Sequence, residues 1–392
     1  MKLWKKLLLV YAGLLLMLPC VLLEGKEWLG TVHAEDANVV IAGRTLSSLM
    51  PVLDFNNCKI SDYEAFAIEL SQFPCLTRVE LCGSNLSNEQ MEGLQNLYPN
   101  VKFVWNLRLG NYWTVRTDQV AFTTNKGPGP DLTSADVEQL KYCTDMVALD
   151  IGHNAVKDVS FLNYMPKLRI LILVDNRVSD LTPVASCKDL VYLETFVNPI
   201  RDITPLTNLV NLIDVNISYN RFTDITPILH KPRLERLFVT HCGLSQVQLD
   251  QLKAEYPNAQ IEYTVSQSID AGWRLNPRYK AMRTMYKTNT VSDLFMTDTD
   301  RILYYMDVFN YEYYVTRYPE VVAVVGNDPL QLLYYFLDYG VAQGQQASET
   351  FSVVAYMMYN PELQELYGDD LNKYFMHYMG CGYKENRITV GA

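Results

Sequence analysis

The chain has 392 residues, of which 49% are apolar and 20% are charged. This composition excludes a disordered tail and a protein built mainly of membrane spans. With 33 Lys and Arg against 44 Asp and Glu, the net charge is −11, and an acidic surface repels phosphate, which argues against nucleic acid and anionic lipid as partners.

The N-terminus has the features of an export signal. Met1–Lys6 is basic, and the apolar run Leu7–Leu23 follows. A polar stretch then ends in Val32-His33-Ala34, which places small residues at the positions that signal peptidase requires. This pattern predicts cleavage after residue 34, which makes 1–34 a signal peptide and places the mature protein outside the cytoplasm. Two alternatives stay open. The run could remain as an uncleaved membrane anchor, or Cys20 could carry a lipid.

Residues 35–104 contain two loose copies of one apolar pattern, which begin at Met50 and Leu76. Apolar or small residues stand at positions one, four, six, nine and eleven of each copy. Each copy predicts a short strand followed by a turn. A helix that contains Leu94 and an apolar strand at Val101–Val104 come next, and they predict a longer terminal repeat that covers the exposed core of this block.

Residues 105–145 connect this block to the next one. Trp105–Thr124 alternates enough in polarity to predict strands. The stretch Lys126–Pro130 is rich in Gly and Pro and predicts a loop, while Thr133-Ser134-Ala135-Asp136 predicts the start of a helix. The segment is therefore predicted to be a β-rich connector with a capping helix.

A strict 22-residue repeat occupies 146–265. Its rows begin at Met146, Leu168, Leu190, Leu212 and Leu234. Positions four, six and eleven are mostly aliphatic. Position nine holds Asn154, Asn176, Asn198, Asn220 and Cys242. An Asn side chain can satisfy buried backbone groups with both its donor and its acceptor, so this column is predicted to be a structural ladder rather than a ligand site.

The rows read L-x-x-L-x-L-x-x-N/C-x-L, and this pattern resembles the leucine-rich-repeat family. The resemblance implies that 35–104 consists of divergent N-terminal leucine-rich repeats. Rows two to four also carry Asp-Leu/Ile-Thr-Pro, as at Asp180–Pro183, and Pro is favoured in the first turn of a short helix. A 22-residue row has no room for a long helix, so 3₁₀ turns are predicted on the convex side. This variant is similar to bacterial surface proteins of the internalin type, which implies an α/β leucine-rich-repeat solenoid with a curved parallel sheet.

One face of the predicted sheet carries the predicted binding residues. Positions three, five, seven and eight of each row point away from the core. Rows two and three are largely apolar there, and neighbouring rows lie about 4.8 Å apart, so a contiguous exposed patch is predicted on the concave face. The predicted partner-binding residues are Ile170, Ile172, Val174, Tyr192, Glu194, Phe196, Asp214, Tyr219, Arg236 and Phe238. In the open alternative, segment 105–145 or the C-terminal module covers the patch.

Residues 266–306 are predicted to be a helical linker, with a helix that begins near Trp273. The residues expected to pack it on the end of the repeats are Met282, Met285 and Tyr286. In the alternative, this basic amphipathic helix binds a membrane or a partner helix.

Residues 307–392 contain two copies of an aromatic 42-residue unit. Phe309 matches Phe351, and Tyr314 matches Tyr356. The unit resembles a short helical repeat found in tandem at the C-termini of secreted bacterial proteins, which implies a small all-α module. Its tyrosines are predicted to be core residues, and the alternative is a platform that binds cell-wall glycan.

The sequence contains no familiar catalytic motif. It lacks His-Glu-x-x-His, Gly-x-Ser-x-Gly and a phosphate loop, and His153 and His241 should lie about 19 Å apart, too far to share a metal. We therefore predict no enzyme activity, no metal and no cofactor, and after signal cleavage no integral membrane span. The predicted function is that of a secreted or cell-surface protein that binds a protein ligand. The alternatives are a cell-wall glycan ligand for the C-terminal module and a hydrolase in the N-terminal region.

Overall fold

The computed structural model describes residues 37–124, 131–265, 270–380, 387, 389 and 390. The predicted export signal and the predicted loop at 126–130 lie outside the described residues. The chain divides into two compact units, Met1–Thr290 and Val291–Ala392. This division splits the predicted linker 266–306, because its first helix packs within the first unit.

The first unit begins with an antiparallel hairpin and a three-stranded parallel sheet. The elements in order are β1 (Asn38–Ile41), β2 (Arg44–Ser47), β3 (Val52–Asp54), α1 (Tyr63–Glu69), β4 (Arg78–Glu80), α2 (Asn88–Leu97) and β5 (Lys102–Val104). Strands β3 and β4 occupy positions three to five of the two loose copies in the sequence, and they pair in parallel with Leu53 opposite Val79. Helix α2 begins with a capping box between Ser87 and Gln90.

The connector consists of a hairpin, one further strand and a short helix. Its elements are β6 (Asn106–Leu109), β7 (Trp113–Arg116), β8 (Ala121–Thr123) and α3 (Ser134–Val137). The strands lie within the predicted stretch, and the helix begins where Thr133 and Asp136 form a capping box. Strand β8 pairs with the next strand of the chain, so the main sheet begins one strand before the first row.

The main sheet has seven parallel strands in sequential order. After β8 come β9 (Ala148–Asp150), β10 (Ile170–Ile172), β11 (Tyr192–Glu194), β12 (Asp214–Asn216), β13 (Arg236–Phe238) and β14 (Gln260–Glu262), with helix α4 (Gln246–Glu255) before the last strand. Strands β9 to β13 each hold positions three to five of a row, and residues 22 apart pair, as Leu171 does with Leu193. This register confirms the predicted parallel sheet.

Short 3₁₀ turns form the convex side of the sheet, as predicted. They span Ser160–Tyr164, Thr182–Ser186, Thr204–Leu206 and Thr226–Ile228. In the second of these rows the carboxylate of Asp180 accepts a hydrogen bond of 2.8 Å from the Thr182 amide, and Pro183 stands in the first turn. Both residues favour the start of the turn at this point. Asp180 accepts a hydrogen bond from a backbone amide that has no partner within the turn, and Pro183 has no amide hydrogen that needs one.

The residues at position nine bind backbone groups inside the solenoid. The Asn198 side-chain oxygen accepts a hydrogen bond of 3.0 Å from the Val178 amide. Its amide group donates to the carbonyls of Leu173, at 2.8 Å, and Thr195, at 3.1 Å. In the last row, the Cys242 thiol donates to the carbonyl of Ile217 at 3.2 Å. Each side chain therefore joins its own row to the preceding one.

Residues 270–290, here called the strap, lie across the concave face of the sheet. The strap contains a 3₁₀ turn at Trp273–Leu275 and helix α5 (Pro277–Thr288). Near its start Arg278 binds Asp214 on β12, and at its end the Asn289 side chain accepts hydrogen bonds from the Val120 and Ala121 amides at β8. These strands are four spacings apart, about 19 Å, which matches the length of about 18 Å for a 12-residue helix.

The second unit is all-α. Its helices are α6 (Asp298–Tyr305), α7 (Tyr311–Arg317), α8 (Pro319–Val325), α9 (Pro329–Tyr335), α10 (Val353–Tyr359), α11 (Gln364–Tyr367) and α12 (Leu371–Gly380). The two copies repeat one aromatic contact, with ring centroids 5.1 Å apart for Phe309 and Tyr314 and 5.6 Å apart for Phe351 and Tyr356. Both tyrosines are fully buried. They are core residues and cannot present their rings to a glycan.

Candidate functional site: the concave face and its margin

The strap covers most of the predicted partner-binding residues. Eight of the ten have at most 7% of their surface exposed: Ile170, Ile172, Val174, Tyr192, Glu194, Asp214, Arg236 and Phe238. The prediction of an open patch is wrong for these eight residues, because their side chains, at positions three, five and seven, point into the interface with the strap. The covering element is the strap, which belongs to the first unit. Phe196 is half-buried, and Tyr219 is 38% exposed.

Trp273 anchors the strap. Its ring is fully buried and lies 4.8 Å from the Phe238 ring and 5.6 Å from the Tyr192 ring, measured between centroids. The Arg236 guanidinium lies 4.2 Å from the indole centroid, within the range of a cation–π interaction. The indole N–H donates to the Glu194 carboxylate at 2.7 Å. The residue is thus held by apolar, cationic and hydrogen-bonding contacts together.

A buried charge cluster holds the strap to β12. Both oxygens of Asp214 bind arginine: Arg236 Nε donates to Oδ1 at 2.6 Å, and Arg278 Nε donates to Oδ2 at 2.5 Å. Arg278 also binds Glu235. The Asp214 side chain has no exposed surface, and a buried carboxylate with only one partner is costly. Arg278 gives Asp214 its second partner, and the cluster therefore ties this point of the strap to β12.

Two further carboxylates are buried beneath the strap. Burial raises the pKa of Glu194, although Tyr192 and Trp273 donate hydrogen bonds to its Oε1. Burial likewise raises the pKa of Asp150, which accepts hydrogen bonds from Thr123 and from the Gly152 amide. The cavity beside Asp150 has a volume of about 10 Å³, which is room for about one water. The space beside Asp150 is therefore too small for a substrate.

The margin of the concave face remains open. Position eight of the rows holds His153, Asp175, Val197, Tyr219 and His241, here called the margin ridge, and all five residues are exposed. All five have left-handed backbone conformations, with φ between 50° and 58°. The Tyr219 and His241 rings lie 4.7 Å apart, and His153 Nδ1 lies 3.0 Å from the Asp175 carboxylate. The sequence predicted that Tyr219 is exposed, but it did not lead us to predict the left-handed conformation. The available signal was Asn57 and Gly83, which hold the same position of the N-terminal copies with φ of 57° and 74°.

In the structure, each 22-residue row contributes one parallel strand and turns one Asn or Cys inward. The first unit is a leucine-rich-repeat solenoid. Within the described ranges, no three His, Cys, Asp or Glu side chains meet as potential metal ligands, and none of the helices there has both the length and the apolar character needed to cross a bilayer.

No protein-family model and no curated protein sequence matches the chain. Solved structures similar to it include internalin C2 of Listeria monocytogenes, which is 19% identical with a TM-score of 0.32 over 56% of this chain and 85% of that chain. Another internalin of that organism is 15% identical, with a TM-score of 0.28 over 58% and 87% of the two chains. A leucine-rich-repeat protein of Leptospira interrogans is 17% identical, with a TM-score of 0.30 over 50% of each chain.

Proposed function

We propose that this leucine-rich-repeat protein is an exported, non-catalytic binding protein whose partner, another protein, contacts the margin ridge. The N-terminal signal pattern supports export. The strap supports the choice of surface, because it fills the concave face and leaves Tyr219 and the half-buried Phe196 as the accessible members of the predicted set.

The conformation of the ridge is the observation that carries the proposal. A left-handed backbone costs an ordinary residue about 1–2 kcal/mol, and Gly or Asn would adopt it with less strain. The chain instead places Val197 and Tyr219 there, 41% and 38% exposed. Strain of this kind is concentrated at functional sites, and Tyr is enriched in the buried centres of protein interfaces. The left-handed turn itself belongs to the repeat, since Asn57 and Gly83 adopt it at the same position of the N-terminal copies. A binding role for the ridge accounts for the choice of Val and Tyr there in place of Asn or Gly.

Site-specific photo-crosslinking tests this proposal. A benzophenone amino acid replaces Tyr219 in the chain without residues 1–34, which is then illuminated with extracts of cell-surface proteins. The control carries the same group at Tyr164, which is 56% exposed on a convex turn. We expect a defined crosslinked protein from position 219 only, and we expect excess unlabelled chain to suppress it. Equal products from both positions would refute the proposal.

A substitution at Val197 separates strain from binding. Val197→Asn should relieve the left-handed strain and stabilise the first unit by about 1 kcal/mol. When this variant is added as the unlabelled competitor, it should suppress the Tyr219 crosslink less than the unmodified chain does. A variant that is more stable and competes as well as the unmodified chain would show that the ridge does not contact the partner.

A further inference from the structure

Backbone hydrogen bonds between rows continue beyond the strands, along one side of the solenoid. The Ala155 amide donates to the Leu132 carbonyl at 2.9 Å, the Arg177 amide to the Val156 carbonyl at 2.9 Å, and the Arg221 amide to Ile200 at 2.8 Å. Residues 153–157, 175–179, 197–201 and 219–223, here called the flank, therefore stack in register. Their inward positions, nine and eleven, pack in the solenoid, and positions eight, ten and twelve form an outer surface that begins at the margin ridge.

Four cations are arranged regularly on the flank. Arg177 and Arg221 stand at position ten, Lys157 and Arg201 stand at position twelve, and all four are exposed. They alternate between the two columns from one row to the next. With rows about 4.8 Å apart and same-face residues about 6.6 Å apart, successive cations should lie about 8 Å apart at the backbone. Within these residues the flank holds one carboxylate, Asp175, and a column of aspartates borders it at position thirteen.

These cations are available for a partner. Among the described residues, the structure records no ion pair for any of the four side chains. Four aspartates at position thirteen border the flank. Asp158, Asp180, Asp202 and Asp224 each accept a hydrogen bond of 2.8 Å from the amide two residues further on, and within the described part of the chain no ion pair joins them to the four cations. Hydrogen bonds from threonines lower the pKa of Asp180, Asp202 and Asp224, so these carboxyl groups stay ionised and mark the boundary of the cationic columns.

We propose that the flank binds an extended acidic segment of the partner protein, which runs across the rows. This inference rests on the proposed function and adds the chemistry of the partner. Alternate side chains of an extended peptide are about 6.6 Å apart on one face, so acidic residues can reach successive cations, and the arginines can bind carboxylates in bidentate fashion. Val197 and Tyr219 border the cations and offer apolar contacts to the segment. A uniformly charged polysaccharide would not use these contacts.

The test uses a fluorescein-labelled peptide of nine residues, in which Glu alternates with Val and Tyr, and the chain without residues 1–34. Fluorescence anisotropy measures binding at low and at high salt. We expect the peptide in which Gln replaces every Glu to bind at least tenfold more weakly. The double variant Arg177→Gln, Arg221→Gln should also lose at least tenfold in affinity for the acidic peptide. The matched double variant Lys188→Gln, Arg233→Gln removes the same charge from exposed sites outside the flank and should retain affinity.

Three outcomes overturn the inference: no binding of the acidic peptide, equal losses in both double variants, or competition by polygalacturonate as strong as that by unlabelled acidic peptide. These failures are distinct from failure of the proposed function. If the Tyr219 crosslink still captures one protein while the flank variants retain that partner, the ridge binds a protein of other chemistry. If the crosslink captures nothing specific, the proposed function itself fails.

Discussion

Replacing Trp273 with Ala tests whether the strap is an integral part of the solenoid. The side chain is fully buried, and truncation of a buried Trp costs about 3–5 kcal/mol. The substitution also removes the donor to Glu194, and a lost hydrogen bond to a buried group adds about 1–3 kcal/mol. We therefore expect the free energy of unfolding of the first unit to fall by at least about 4 kcal/mol. For a unit of this size, the midpoint temperature should fall by at least about 8 °C.

Tryptophan fluorescence during urea unfolding measures this effect in the first unit alone. Once residues 1–34 are removed, the remaining tryptophans are Trp105, Trp113 and Trp273, and residues 291–392 contain none. In the variant, Trp105 and Trp113 still report unfolding. The control is Leu275→Ala in the same turn, which is 74% exposed and should change stability by less than about 0.5 kcal/mol. A Trp273 variant within about 1 kcal/mol of this control would show that the strap contributes little to folding.

Three further predictions concern the buried polar groups of the first unit. Because burial raises the pKa of Glu194, its favourable contribution is complete below the ordinary carboxyl pKa and is lost as pH rises through the raised value. Thermal melts at several pH values should therefore show that the stability of the Glu194→Gln variant, relative to the unmodified chain, increases from acid to neutral pH. A stability difference that does not change with pH would contradict this prediction. Asn198→Ala removes the hydrogen-bond partner of three backbone groups, and each bond is worth about 1 kcal/mol. Urea unfolding should therefore show a free energy of unfolding that is lower by about 3 kcal/mol. The control Asn163→Ala, at an exposed position, should change it very little. Burial raises the pKa of Cys143 to about 12, while Cys75 is exposed and free. A thiol reagent without denaturant should therefore label Cys75 before Cys143, and fast labelling of Cys143 would refute the buried assignment.

The sheet was predictable because its signal is local. Each row repeats the same apolar positions within 22 residues, so Leu171 and Leu193 define both their strands and the register between them. The 3₁₀ turns are equally local, since Asp180 and Pro183 determine the start of the turn within four residues. This local pattern gives no information about which distant segment covers the concave face.

The covering of the concave face could not be predicted, because tertiary pairing decides it. Arg278 and Asp214 are 64 residues apart in the chain, and the helix that contains Arg278 reads as an ordinary basic amphipathic helix. One signal was available in the sequence. Glu194, Asp214 and Arg236 stand at positions three and five beside apolar neighbours, and such a mixture suits a specific buried interface better than an open one.

The contact between Asn289 and strand β8 affects where the repeat region can be cut. Strand β8 lies at the edge of the seven-stranded sheet, and Asn289 accepts hydrogen bonds from the Val120 and Ala121 amides there. A sheet edge with free amides is a template for pairing with another chain. A fragment that ended with the last strand, near residue 265, would expose this edge together with the apolar concave face and would be prone to self-association. A fragment that ended at residue 290 would keep both covered.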